Sequence, residues 1–150
     1  FNQISSYETN ENWYKQLAAR IPENVKLQKV DNISKSINAI KSKELSQYRA
    51  ILLDAGENRA NLARCLVEKS YQGIIFFDNS EWYRKSIQIL VANGFIEIPF
   101  FGLKPIEDWV SCTSVIAKPQ ALPEFFSNSW VSLPKMSHKK SVNPWDEENP

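Results

Sequence analysis

The sequence predicts an α/β fold, a doubly wound and mostly parallel sheet with an antiparallel last strand. Three observations carry this. Ala50-Ile51-Leu52-Leu53 and Gly73-Ile74-Ile75-Phe76-Phe77 are short apolar runs, each followed by a helical pattern, as buried parallel strands read. Strand-like and helix-like segments alternate from residue 4 onward, which implies βαβ units. The last two strand-like segments follow one another with no helix between, so they are antiparallel or far apart.

The elements follow in order. Ile4-Ser5-Ser6-Tyr7-Glu8 reads as a short strand ending in an acid. Thr9 or Asn10 can cap a helix over residues 11–20, where Trp13, Tyr14, Leu17 and Ala18 share one face. Ile21-Pro22-Glu23-Asn24 breaks it. Residues 25–30 alternate apolar and polar, a half-covered strand near an edge, and Asp31-Asn32 turns the chain. Residues 34–43 form a weaker helix carrying Ile37, Ala39 and Ile40.

The next strand covers residues 49–54 and leads through Ala55-Gly56-Glu57 to a helix over 58–69 with Leu62, Ala63, Leu66 and Val67 buried. Residues 73–77 are a strand. Asn79 or Ser80 can cap a helix running to Asn93, with Tyr83, Ile87, Leu90 and Val91 inward and Gly94 at its C′ position. Residues 95–100 alternate like a strand, and Pro99 favours an edge or a strand end. A loop over 102–109 precedes a last strand over 110–117. The α/β domain spans 1–118, and 119–150 reads as an extended, proline-containing tail with Trp130 and Trp145 as docking residues.

Composition narrows the classes. The chain has 150 residues, 43% hydrophobic and 23% charged, enough for one domain with a core. A net charge of +1 makes no case for nucleic acid, and Lys139-Lys140 is too short a basic run. No apolar run approaches the roughly 20 residues of a membrane span. No signal peptide is visible, and Cys65 and Cys112 read as reduced and partly buried, which fits a cytoplasmic protein. Phe1 in place of Met reads as the start of a processed or truncated piece.

Ligands of open α/β sheets bind beyond the carboxyl ends of the strands. Asp54, Asp78 and Asn79 fall there. Two carboxylates and an amide oxygen suit a hard octahedral cation such as Mg²⁺. Equally, Asp54 can bond backbone amides and Asn79 can cap a helix. Asp31 and Asn32 are ordinary turn residues, and Glu8 can be a solvated acid or cap partner beside Thr9 and Asn10. His138 is the lone histidine and lies in the tail, so no Ser-His-Asp set or zinc spacing arises in the core.

The ordered set of Glu8 before a Trp-Tyr helix, Pro22-Glu23-Asn24-Val25 with Asp31 after it, Leu52-Leu53-Asp54, residues 73–79, Phe95 through Gly102 and Cys112-Thr113-Ser114 resembles the class I S-adenosylmethionine-dependent methyltransferases over residues 4–117. The resemblance implies a Rossmann-like sheet whose first strand and Gly-rich loop are missing, since that strand separates those ending at Glu8 and Asp54. It implies S-adenosylmethionine as cofactor, with Glu8 on the ribose, Asp31 and Asn32 near the adenine, and Asp54 beneath the charged end. It further implies O-methyl transfer to a small-molecule or glycan acceptor, with Asp54 and Asp78 catalytic, and Asn79, Trp82 and Trp109 toward the acceptor. The placement of Asp54, Asp78 and Asn79 is similar to the Mg²⁺ site of catechol-type O-methyltransferases. Phe100 and Phe101 are further candidates to wall the acceptor pocket, whereas Tyr83 has core spacing. No two of Gly56, Gly73, Gly94 and Gly102 form a Gly-x-Gly turn. That disfavours a nucleotide-binding oxidoreductase and keeps open a second class, a non-catalytic methyltransferase-fold scaffold with the tail as contact segment.

Overall fold

The protein is an α/β protein with two sheets. Its structure, a computed structural model, describes residues 3–104 and 108–121. The chain divides into two compact units, Phe1–Lys43 and Glu44–Pro150.

The first unit holds β1 (Ile4–Glu8), α1 (Glu11–Ala18), β2 (Val25–Lys29) and α2 (Ile33–Lys41). β1 and β2 pair in parallel, with Ile4 opposite Val25 and Glu8 opposite Lys29. Asn10 is the cap of α1, its side-chain oxygen accepting from the amides of Asn12 (2.9 Å) and Trp13 (3.1 Å). The stripe expected to be buried on α1 stays open: none of its residues is buried, and Trp13 is 59% exposed. A two-stranded sheet is too narrow to cover a helix face. Asn32 caps α2 by accepting from the Lys35 amide at 2.9 Å, so this helix starts slightly earlier than residue 34.

The second unit contains β3 (Ala50–Leu53), α3 (Arg59–Glu68), β4 (Ile74–Asp78), α4 (Arg84–Ala92), β5 (Ile96–Leu103) and β6 (Val110–Ala117). Its strand order is β3-β4-β6-β5. β3 and β4 are parallel, while β6 runs antiparallel to both β4 and β5. The last strand is therefore reversed, as the missing crossover helix required, and it is inserted between β4 and β5. β5 takes the edge that Pro99 favours, and it continues to Leu103, into the stretch expected to be loop.

The single sheet expected from the sequence is instead two sheets. β1 pairs with β2 and β3 with β4; the strands ending at Glu8 and Asp54 do not pair. Within the second unit the winding is one-sided. Both crossovers step the same way across the sheet, and right-handed connections then place α3 and α4 on the same face. The two helices pack on one another. The covered face carries Leu53, Ile75, Phe77, Cys112, Ser114 and Ile116, all buried. The opposite face carries the in-register neighbours Leu52 and Phe76, which are 65% and 39% exposed.

α4 begins at Arg84 rather than beside Asn79 or Ser80. Asn79 adopts a left-handed conformation (φ 52°) that ends β4, and Ser80 turns inward. At the far end, Gly94 (φ +82°) closes α4 as expected, with its amide on the Val91 carbonyl (2.9 Å) and the Phe95 amide on the Leu90 carbonyl (3.2 Å). Everything after Ala121, including His138, Trp130, Trp145 and the expected tail, lies outside the described residues.

The two sheet faces differ in a measurable way. Ile75→Ala, at a fully buried position, is expected to cost about 2–5 kcal/mol in urea unfolding. Leu52→Ala, one strand away on the open face, is expected to cost well under about 1 kcal/mol.

Candidate functional site

The site is built at the carboxyl ends of β3 and β4. Parallel pairing in register, Leu53 opposite Phe77, brings the following residues Asp54 and Asp78 side by side. After loss of water, the charge of Asp78 is the next cause that raises the pKa of Asp54.

Arg59, in the first turn of α3, holds the two strand ends together. Its side chain is only 3% exposed. Nε donates to the Ala55 carbonyl and Nη1 to the Asp78 carbonyl, while Nη2 lies 3.5 Å from Asp54 Oδ1. The guanidinium stacks over the Tyr83 ring (3.9 Å to the centroid) and approaches Phe77 (5.2 Å). Tyr83 is buried, and its Oη donates to the Gly56 carbonyl at 2.8 Å. Tyr83 is thus a core residue, as its helical spacing indicated, and it helps to pin the 54–58 loop.

Asp78 is held from several sides. Oδ1 accepts from Thr113 Oγ1 of β6 at 2.7 Å. Oδ2 accepts from the Asn79 amide nitrogen at 2.9 Å and lies 3.7 Å from Lys104 Nζ. With the amide oriented by these partners, the Asn79 oxygen accepts from Lys104 Nζ (2.9 Å) and sits 3.0 Å from Ser111 Oγ. Ser111 in turn lies 3.1 Å from Glu81 Oε1, and the Cys112 amide donates to Glu81 Oε2 at 3.0 Å.

These surroundings set the charges. Loss of water and then the Asp78 charge push Asp54 above its ordinary 3.8; Arg59 and Lys104 oppose them. Its side chain remains 61% exposed, so solvent screens these effects. Burial pushes Glu81 upward, against amide donors, Ser111 and the Lys104 charge. Burial likewise raises the Cys112 thiol, which leaves it a poor nucleophile.

The other expected site residues lie in the first unit. Glu8 ends β1, and its Oε1 accepts from the Asn10 amide at 2.6 Å. Asp31 pairs with Lys35, whose ammonium holds its pKa below 3.8. Asn32 serves as the α2 cap. Each of the three has taken up the local turn or capping bond that its sequence setting allowed. Trp82 and Trp109 are half-buried, in the turn after β4 and at the entry to β6. Phe100 is 56% exposed on β5.

Four residues of the second-unit cluster went unrecognised in the sequence: Arg59, Glu81, Lys104 and Thr113. Only the β6 partner register and the α3 start could have marked them. The cation reading of Asp54, Asp78 and Asn79 meets a difficulty here. Asp78 and Asn79 already point their oxygens at Thr113, Ser111 and the Lys104 ammonium. Among the described residues, no group of three or more His, Cys, Asp or Glu is placed to hold a metal ion. No helix among the described residues is long and apolar enough to cross a membrane. No protein-family model matches the chain, and no curated protein matches it.

Two predictions test this geometry. Arg59→Leu leaves the Ala55 and Asp78 carbonyls without their buried donor, so urea unfolding is expected to register a loss of about 3 kcal/mol or more. Asp54, with its folded pKa raised, favours folding most when protonated. That contribution is complete below pH ~3.8 and is lost as pH rises through the raised value. Asp54→Asn is therefore expected to be more stable than wild type at pH 7. The difference should vanish in melts recorded below pH ~4.

Proposed function

We propose that the chain is a methyltransferase-like α/β domain using S-adenosylmethionine for O-methyl transfer to a small-molecule or glycan acceptor. The observation that carries this reading is the Asp54–Asp78 pair, set side by side at the carboxyl ends of two parallel strands. The reversed β6 beside β4 is compatible with it, as the expected fold combined a methyltransferase-type sheet with an antiparallel last strand. So is the separation of β1 from β3 into different sheets, where the resemblance implies a further strand between them.

The roles are those the resemblance implies, and the chemistry of the residues suits them. Glu8 is an acceptor-only carboxylate at a strand end and suits two ribose hydroxyls. The resemblance assigns Asp31 and Asn32 to the adenine. It likewise assigns Asp54 to the cofactor's positive end, and Asp78 with Asn79, Trp82 and Trp109 to the acceptor. The bound sulfonium supplies an already activated methyl group, so proximity and alignment provide most of the acceleration. What the residues add is orientation and a place for the acceptor's proton. Asp54, the more exposed of the pair and with its own pKa raised by loss of water, takes that proton. The protein acts in the cytoplasm, away from membranes and nucleic acid.

A second reading, a scaffold with no catalysis, is favoured by one observation: Glu8, Asp31 and Asn32 all serve turns or caps. Calorimetric titration of S-adenosylhomocysteine into the folded chain separates the two. Saturable binding weakened about tenfold or more by Glu8→Ala, the loss of two charge-assisted hydrogen bonds, is expected for the enzyme. A folded chain that takes up no ligand would instead be a scaffold.

A further inference from the structure

We infer that Lys104 is the resident cation of the Asp54–Asp78–Asn79 cluster, occupying the place a divalent metal would take and making the site independent of one. The argument begins with geometry. Lys104 directly follows the last residue of β5, two strands from β4, and its ammonium reaches back across β6. There it contacts the Asn79 oxygen at 2.9 Å and lies 3.7 Å from Asp78 Oδ2. Two of the three oxygens that a cation would need are therefore already directed at one positive charge.

The reach of that charge is wider than its contacts. The Lys104 charge also acts on Asp54 and Glu81, opposing part of the rise that burial imposes on each. Among the described residues, a second positive charge in contact with the cluster is Arg59, on α3, whose donors are fixed on the Ala55 and Asp78 carbonyls and on Asp54. Arg59 cannot move to compensate for a lost neighbour. Lys104 is 34% exposed on a flexible stem, and it is the cation whose removal leaves a gap. With that gap, two adjacent carboxylates and an amide oxygen become a hard-ligand set for Mg²⁺ or Mn²⁺.

The experiment is a Mn²⁺ titration of the full chain, with free Mn²⁺ read by electron paramagnetic resonance. Wild type and Lys104→Arg are expected to leave the ion free at concentrations where Lys104→Met binds an equivalent. The affinity gain should be roughly tenfold or more, since a positive charge has been withdrawn from a carboxylate pair. Adding Asp78→Asn to Lys104→Met should abolish the gain. Binding by wild type that Asp78→Asn removes would overturn the inference, and so would a folded Lys104→Met chain that gains nothing. Should Lys104→Met fail to fold, wild type decides alone. In ¹³C spectra of the aspartate carboxyls, Mn²⁺ should broaden Asp54 and Asp78 no more than the exposed Asp108. Selective broadening of the pair would overturn the inference.

Discussion

The architecture of the second unit depends on one buried arginine. Arg59 starts a helix, where a positive charge opposes the helix dipole, and its side chain is 3% exposed. Both features are costly unless every donor is used. The planar guanidinium meets this by spreading donors over two backbone carbonyls and one carboxylate while its face lies on Tyr83. A lysine, with one point charge, cannot span these partners. The result joins the loop after β3 to the last residue of β4 through hydrogen bonds from one rigid guanidinium, which fixes Asp54 beside Asp78.

Beneath that clamp the sheet is unusually polar, and β6 explains why. Alternate residues of a strand face opposite sides. Thr113 turns to the open face and donates to Asp78, while Ser114 turns inward, 2.6 Å from Ser80 Oγ and 2.8 Å from Glu97 Oε1. Glu97 is itself buried and receives both Arg84 nitrogens, at 2.9 and 3.0 Å. Buried carboxylates are tolerable only with such complete pairing. This second network ties β6 and β5 to the start of α4, and it accounts for Ser80 being core rather than cap. The reversed strand is thus a source of hydroxyls for both faces as well as a ladder partner.

What the sequence made legible was local. Apolar runs marked β3 and β4, alternation marked β2, and Gly94 marked the end of α4, because each signal is carried by neighbouring residues. The acidic pair was legible for the same reason: Asp54 and Asp78 each terminate an apolar run. Partners separated by tens of residues were not. Lys104 follows a strand edge and Arg59 starts a helix, and neither position carries a chemical signature until the strand order is known. Asn79 and Ser80 are good caps in isolation, yet α4 starts only at Arg84. Tertiary hydrogen bonds from Ser111, Cys112 and Ser114 claimed that segment instead. The expected stripe on α1 failed for the opposite reason, since a correct amphipathic pattern still needs a sheet wide enough to cover it.

The charge balance of the cluster makes its two cations unequal. Among the described residues, three carboxyl groups, Asp54, Asp78 and Glu81, face two positive charges, Arg59 and Lys104. Arg59 belongs to the scaffold, because backbone carbonyls hold it whatever the state of the carboxylates. Lys104 is held by side chains that are themselves ionisable or rotatable. A proton arriving at Asp54 or a ligand arriving at Asp78 therefore alters the environment of Lys104 and leaves Arg59 in place. A site arranged this way has a rigid frame and one adjustable cation, and that cation is the more exposed of the two.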